Sequence, residues 1–247
     1  MVAKAAMDSG VALEPIECWD KYEEELHNRL GSDKKIVRFL TNRAKTSPKR
    51  IIYAEADHLD VLKAAQIVHE EGIGFPILLG NREVIEELKK EIEFDEDLPI
   101  IDPKSKEEFH NREKYGKKYW KMRKRKGVTY FRAVNKMKER NLFAAMMVYS
   151  GDADALISGY SRSYPVTVKP IFEVIGRSPG VNKVATTNLM ITSKGPLFLS
   201  DTSINIDPSS KDLAIIAKMT SDTVKMFGLE PNIAMLSYSN FGSSNHP

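Results

Sequence analysis

Apolar blocks alternate with amphipathic blocks through the first half of the chain, and this pattern predicts strands alternating with helices. Asp57 is expected to cap the first of these helices, which Gly72 ends. Strands and helices joined in this order by tight connections predict right-handed crossovers and a parallel sheet. The predicted elements are strands over Arg50–Glu55, Pro76–Leu79 and Pro99–Ile101, a helix between Asp57 and Gly72, and a helix over about Glu83–Lys90.

The second half of the chain continues the α/β pattern with longer helices. Glu107–Met147 reads as mostly helical, and Ala155–Gly159 predicts a buried strand that ends in a Ser-Gly pair. Further along, the pattern predicts a helix over about Val166–Ile175, strands near Val181–Thr187 and Leu197–Leu199, a helix from Ser209 or Ser210 to Phe227 closed by Gly228, and a last strand over Ile233–Ser237.

Met1–Ser32 has a different character from the rest of the chain. An Ala-rich helical stretch turns at Gly10 and Pro15, and a charged amphipathic segment follows over Trp19–Leu30. This zone predicts a linker or a piece of a preceding domain.

The composition is that of a globular protein. The 247 residues are 42% hydrophobic and 29% charged, enough for one large domain or two small ones. No apolar run approaches the roughly 20 residues that a membrane span needs. One cysteine, Cys18, excludes an intramolecular disulfide framework. It fits a reducing compartment, so a cytoplasmic protein without a membrane partner is expected.

Charge is concentrated in one segment, Arg112–Lys126. It holds nine Lys or Arg and one Glu, a net +8, which leaves −5 on the remainder of a chain whose total is +3. Most such segments are solvated helix faces. The alternative is a landing site for nucleic acid or for coenzyme phosphates. The aromatic residues between these charges are Tyr115, Tyr119, Trp120 and, just beyond, Tyr130. Because no nucleic-acid-binding motif accompanies them, we expect no nucleic-acid partner.

Several common catalytic motifs are absent from the sequence. There is no Gly-x-Gly-x-x-Gly after a strand, no Walker-type phosphate loop and no Gly-x-Ser-x-Gly elbow. The histidines lack metal-ligand spacing, so no metal site is expected on this chain.

Small and hydroxyl residues follow three of the predicted strands. In a parallel sheet such loops leave at one edge and line one crevice, where hydroxyls and fixed cations suit an acyl phosphate or a coenzyme pyrophosphate. Ordinary turns and caps are the alternative for each loop taken alone. The loops are Ser158-Gly159 with Ser161 and Ser163, Asp201–Asn205 and Ser239–Ser244, and the cations are Arg123, Arg162 and Lys169.

In their order and spacing, several short stretches resemble the phosphate acetyl/butyryltransferase family over about Lys34–Pro247. The stretches that carry this resemblance are Ala54–Ala65, Glu71–Ile73, Leu78–Asn81, Met122–Thr129, Asp152–Gly159, Thr167–Pro170, Leu197–Asp201, Met235–Ser239 and Gly242-Ser243.

The first residues resemble a different family. Val2–Ala12, Pro15-Ile16 and Trp19–Tyr22 are similar to the end of the nicotinamide-binding domain of bacterial malic enzymes. Long members of that family carry a phosphotransacetylase-like domain after the catalytic one. The resemblance implies a fragment of such an enzyme, with boundaries at 1–33 (tail and linker), 34–184 (first subdomain) and 185–247 (second subdomain, incomplete).

The resemblance also implies the architecture and the site. It implies two three-layer α/β/α subdomains with mostly parallel sheets, as in isocitrate and isopropylmalate dehydrogenases, with an acyl-CoA or acyl phosphate cleft between them. The transferase base belongs to a later family motif, so no catalytic residue is expected here. The implied ligand-binding residues are Arg123, Ser158, Gly159, Lys169, Asp201, Ser237, Ser239, Gly242 and Ser243.

Two positions depart from the family pattern. Lys169 stands where transferases have Arg, which keeps the charge but loses the bidentate fork, and Ala155 stands where Gly is usual. These departures favour a domain that binds acetyl-CoA as a regulatory ligand and supports a homo-oligomer. The longer enzyme would use NADP and Mg²⁺ or Mn²⁺ to convert malate to pyruvate. The alternative is an active phosphate acetyltransferase.

Overall fold

The structure is a computed structural model that describes residues 2–12, 14–19, 22, 26, 35–192 and 194–236. It divides into two compact units. The larger unit is Thr41–Val181, and the smaller unit combines Met1–Leu40 with Asn182–Pro247. The domain boundaries implied by the resemblance stay predictions.

A four-stranded parallel sheet forms the centre of the larger unit, as predicted. Its strand order is β3-β2-β1-β4, and Tyr53 of β1 lies between Leu78 of β2 and Ile157 of β4. The strands are β1 Lys49–Tyr53, β2 Gly74–Leu79, β3 Ile100–Ile101 and β4 Ala155–Ile157. The expectation that Ala155–Gly159 forms a buried strand was wrong, because β4 is at the edge of the sheet and Ile157 is 50% exposed.

Helices cover both faces of this sheet, because alternate strand residues point to opposite sides. The described helices are α1 Val2–Asp8, α2 Lys35–Thr46, α3 Leu59–Glu70, α4 Arg82–Glu91, α5 Phe109–Arg123, α6 Tyr130–Lys136, α7 Arg140–Ser150, α8 Tyr164–Val174 and α9 Ser210–Met226. Ile52 and Leu79 pack in one core with α5, α6 and α7, whereas Tyr53 and Leu78 pack in the other with α3 and α4. The larger unit is therefore a three-layer α/β/α arrangement.

The predicted cap of α3 was wrong. His58 is the N-cap residue and its side chain makes no capping hydrogen bond. Asp57 instead accepts two hydrogen bonds from Arg140 at the start of α7, at 2.7 and 3.0 Å. A guanidinium 83 residues away competes for this carboxylate, and local sequence carries no sign of it.

A close approach of two helices fixes the position of α5. A Cβ on Gly116 would lie 2.7 Å from the Cα of Val134 in α6, so only glycine fits at this crossing. The crossing sets the direction in which α5 runs toward Arg123, its last residue.

The smaller unit contains an antiparallel strand pair and one long helix. The pair is β5 Thr187–Thr192 with β6 Gly195–Ser200, in which Thr187 faces Ser200. Ser209 caps α9, which is one of the two caps that the sequence predicts, and it forms a reciprocal capping box with Asp212.

Two strand predictions in this unit were wrong. The strand expected near Val181–Thr187 begins only at Thr187, and Ile233–Leu236 forms no regular structure over the described part of the last predicted strand. Met235 and Leu236 are exposed there, because an apolar run becomes a strand only beside a pairing partner.

The segment predicted over Trp19–Leu30 falls almost entirely outside the described residues. Among the residues that are described, no helix is long and apolar enough to cross a bilayer.

Candidate functional site

The predicted cation Arg123 lies at the carboxyl end of α5 and contacts α8. Its Nη2 is 3.5 Å from Oε1 of Glu173, and the two side chains are 21% and 19% exposed. The Nε atom of Arg123 is buried and has no hydrogen-bond partner among the described residues. Arg123 is thus held in place while one of its donors is left unused.

Tyr119 and Lys136 complete the surroundings of Arg123. The Tyr119 hydroxyl donates to Oε2 of Glu173 at 2.8 Å, and Nζ of Lys136 is 3.5 Å from the same hydroxyl. Burial raises the pKa of Tyr119 to about 12, with the Glu173 carboxylate adding to the rise and Arg123 opposing it. We name Arg123, Tyr119, Lys136 and Glu173 the Arg123 cluster.

Lys169 belongs to the same helix, α8, as Glu173 of this cluster. It precedes Glu173 by four residues, so the two side chains occupy the same face of the helix one turn apart. Lys169 itself is exposed. Of the three predicted cations, Arg123 contacts Glu173, and Lys169 lies one helical turn before Glu173.

The loop that carries Ser158 and Gly159 surrounds a carboxylate of the protein itself. Oε1 of Glu55 accepts from the backbone N–H groups of Gly159 at 2.7 Å and Tyr160 at 3.2 Å, and from the Ser158 hydroxyl at 3.2 Å. Oε2 accepts from the N–H and the hydroxyl of Ser161 at 2.7 and 2.5 Å. These donors form an anion-binding nest, and Glu55 occupies it.

Glu55 stays ionised in this nest although it is only 1% exposed. Burial by itself raises the pKa of its carboxyl, but the hydrogen bonds from Ser161, Gly159 and Ser158 outweigh burial and lower the pKa to about 2. Ser158 and Gly159 stay predicted ligand residues, although their hydroxyl and N–H are already engaged within the protein.

The other predicted loop cation, Arg162, also has an internal partner. Its Nη1 donates to Oε1 of Glu139 at 2.8 Å. Glu139 in turn accepts from the N–H groups of Asn141 and Leu142 and so caps α7. Arg162 thereby joins the loop after β4 to the start of α7.

Asp201 lies in the smaller unit, in the turn after β6. Its backbone has a left-handed φ of +61°, and its Oδ1 accepts from Nδ2 of Asn205 at 2.7 Å. Because β6 is paired antiparallel with β5, the parallel-sheet argument that placed this loop in a common crevice does not apply to it. Ser237, Ser239, Gly242 and Ser243 lie outside the described residues, and their role stays a prediction.

Much of the basic segment Arg112–Lys126 makes internal contacts. Arg112 is buried and donates to the carbonyls of Pro103 and Ser105, while Lys114 pairs with Asp152. Tyr115 and Tyr119 lie in the core, so neither ring is available to stack on a nucleic-acid base.

Sequence reasoning missed the two carboxylates that organise this region. Glu55 lies two residues after the end of β1, in a buried Ala-Glu-Ala run where a charged residue needs a partner. Glu173 stands at the i+4 position from Lys169, a spacing that indicates a contact on one helix face. Both signals were present in the sequence, but neither identifies which distant groups bind the two carboxylates.

These observations define a three-layer α/β protein whose parallel strands end in loops dense with hydroxyls and charged groups. The model of the phosphate acetyl/butaryl transferase family matches residues 35–247, and the chain belongs to that family.

Two curated relatives and one solved structure place the chain more finely. The NADP-dependent malic enzyme of Haemophilus influenzae is 37% identical over 249 residues, which is 99% of this chain and 32% of that enzyme. The phosphate acetyltransferase of Thermoanaerobacterium thermosaccharolyticum is 33% identical over 218 residues, covering 85% of this chain and 65% of that protein. The crystal structure of a phosphotransacetylase from Streptococcus pyogenes matches with a TM-score of 0.75 and 31% identity, over 87% of this chain and 65% of that one. The chain thus spans about a third of the length of the malic enzyme relative.

Proposed function

We propose that this chain is the phosphotransacetylase-like part of an NADP-dependent malic enzyme of the cytoplasm. One observation carries the proposal: the similarity to malic enzymes covers 99% of the chain, whereas the family model begins only at residue 35. The similarity to the phosphate acetyltransferase covers 85%. The residues before 35 therefore favour a malic enzyme.

In this proposal, the longer enzyme oxidises and decarboxylates malate to pyruvate with NADP and Mg²⁺ or Mn²⁺. Among the described residues, no group of three or more His, Cys, Asp or Glu is arranged to hold a metal ion. In the proposal, the metal and the nicotinamide cofactor belong to the rest of the enzyme.

The part described here would bind acetyl-CoA, or a related acyl-CoA, as a regulatory ligand and support a homo-oligomer. The positive charges of Arg123, whose side chain is 21% exposed, and of the exposed Lys169 suit a ligand phosphate. Lys169 offers a point charge where a guanidinium fork would fix a transferring phosphate in two directions. This weaker positioning favours binding without acyl transfer.

Arg123→Ala is expected to weaken acetyl-CoA binding by about 10- to 100-fold, the value of one charge-assisted hydrogen bond. Isothermal titration calorimetry of the full-length protein with acetyl-CoA measures this change in affinity. Arg125→Ala removes an exposed arginine two residues further on and serves as the matched control. Equal affinities for Arg123→Ala and the wild type would remove Arg123 from the site.

A working phosphate acetyltransferase is the second candidate, supported by the 33% identity to a phosphate acetyltransferase. It predicts that the full-length protein forms a thioester from acetyl phosphate and coenzyme A. A rate no higher than the uncatalysed background would reject this candidate.

A further inference from the structure

Asn141 is a buried polar residue that contacts the loop after β4. It is the second residue of α7 and is 0% exposed, and its Nδ2 atom has no hydrogen-bond partner among the described residues. Its Oδ1 atom lies 2.8 Å from the Ser158 hydroxyl. A buried amide donor without a partner loses its hydrogen bonds to water and gains none in return, so native proteins rarely contain one.

The Ser158 hydroxyl faces more acceptors than it can serve. It carries one proton, but Oδ1 of Asn141 lies at 2.8 Å and Oε1 of Glu55 at 3.2 Å. Glu55 is ionised in its nest, so its carboxylate is the stronger acceptor of the two. If the proton goes to Glu55, the oxygens of Asn141 and Ser158 face each other with no proton between them.

A half-turn of the Asn141 amide removes both problems. The turn exchanges Oδ1 and Nδ2 and moves no other group. The amide nitrogen then donates to the Ser158 oxygen, and the Ser158 proton goes to Glu55. The amide oxygen takes the former place of Nδ2, and an unpaired oxygen is tolerated in buried sites more often than an unpaired N–H.

We propose that Asn141 is a positioning residue whose amide donates to Ser158 and so commits the Ser158 proton to Glu55. The hydrogen bonds then run in one direction, from α7 through the loop after β4 to the carboxylate that follows β1. The Ser158 hydroxyl holds the loop and has no proton left for a ligand phosphate. The inference rests on the proposed function only in taking this loop to border the acetyl-CoA site.

Asn141→Leu in the full-length protein tests the direction of the hydrogen bond. Leucine has a similar size but cannot donate, so amide hydrogen exchange in residues 158–162 should accelerate about five- to tenfold. If the Asn141 oxygen instead accepted the Ser158 proton, leucine would free that proton for Glu55, and exchange would slow or stay the same. Asn135→Leu, at an exposed position of α6, is the matched control.

A double-mutant cycle with Ser158→Ala separates this role from a disturbance of packing. Ser158→Ala should accelerate the same exchange about 30-fold, because it removes a hydrogen bond to a carboxylate. Asn141→Leu should then add less than about twofold, since its partner is already gone. An equal effect of Asn141→Leu in both backgrounds would overturn the inference.

Asn141→Asp takes the place of the leucine variant if that variant does not fold. A carboxyl regains a donor when it is protonated. Protection of residues 158–162 relative to the wild type should therefore rise as the pH falls from about 7 to about 5, a range above the titration of Glu55. An unchanged ratio over this range would contradict a donating Asn141.

Titration with acetyl-CoA separates the inference from the proposed function. Ser158→Ala should change the affinity by less than about threefold, whereas Arg123→Ala weakens it by about 10- to 100-fold. A loss in Ser158→Ala as large as that in Arg123→Ala would make Ser158 a ligand residue and overturn the inference. If the exchange results hold but the wild type does not bind acetyl-CoA, the inference stands and the proposed ligand is wrong.

Discussion

Glu55→Gln is expected to release the loop after β4, because the five hydrogen bonds that hold this loop converge on one carboxylate. Glutamine keeps the shape but loses the charge and turns an NH₂ group toward N–H donors. A buried charged hydrogen-bond network of this kind contributes roughly 3 kcal/mol, or about 150-fold in the equilibrium for local opening. Amide hydrogen exchange in peptides that span residues 158–162 of the full-length protein should accelerate by that factor.

The effect of Glu55 should also depend on pH in a defined direction. The pKa of its carboxyl falls from 4.5 to about 2 on folding, so its stabilisation is complete above pH 4.5. It is lost as the pH drops from about 4.5 toward 2. Protection of the loop in the wild type should fall through this range, after correction for intrinsic exchange, and Glu55→Gln should lack this acid dependence.

Glu87→Gln is the control for both measurements, since it neutralises an exposed carboxylate on α4. If Glu55→Gln and Glu87→Gln gave the same exchange in residues 158–162, the nest around Glu55 would not hold the loop.

Arg140→Ala is the second substitution for which we expect a large effect, in this case a loss of stability. Asp57 and Arg140 form a two-bond ion pair with side chains only 14% and 21% exposed, and the pair ties the turn after β1 to the start of α7. Burial disfavours the charged form of Asp57, but the bonds from Arg140 outweigh it and keep the pKa of Asp57 below its ordinary value. Removing the guanidinium leaves this carboxylate unpaired and should cost roughly 2–4 kcal/mol.

A double-mutant cycle isolates the pair. Asp57→Ala combined with Arg140→Ala should cost less than the two single changes together, because no charge is then left unpaired. The measurement is a urea titration of the full-length protein, read by hydrogen exchange in peptides of β1 and α7. Glu107→Ala breaks an exposed pair with Arg82 and should cost under about 0.5 kcal/mol. An Arg140→Ala effect as small as that of Glu107→Ala would contradict the expectation.

Elements set by neighbouring residues were predictable from the sequence. The order of β1, α3, β2, α4 and β3 follows from local periodicity, and parallel pairing follows from that order. The start of α9 at the Ser209 cap and its end before Gly228 are equally local, since a capping box and a left-handed glycine act within one turn.

Features that depend on distant partners were not predictable in this way. Asp57 was expected to cap a helix, but an arginine 83 residues away takes its carboxylate. Ile233–Leu236 has the pattern of a strand and forms none over the described residues, because pairing is a property of two segments and not of one.

The candidate site likewise has features that the local sequence predicts and features that depend on distant partners. The sequence by itself determined the fold class, the resemblance to an acyl-transferring family, and the presence of Arg123, Lys169 and a Ser-Gly loop after a strand. Only the tertiary structure decided how these groups are used: Glu55 occupies the nest of the Ser-Gly loop, and Glu173 is paired with Arg123. The physical reason is electrostatic. A buried charge binds whichever opposite charge or donor the folded chain brings within about 3.5 Å, and residues 50 to 106 positions apart meet only after the core has formed.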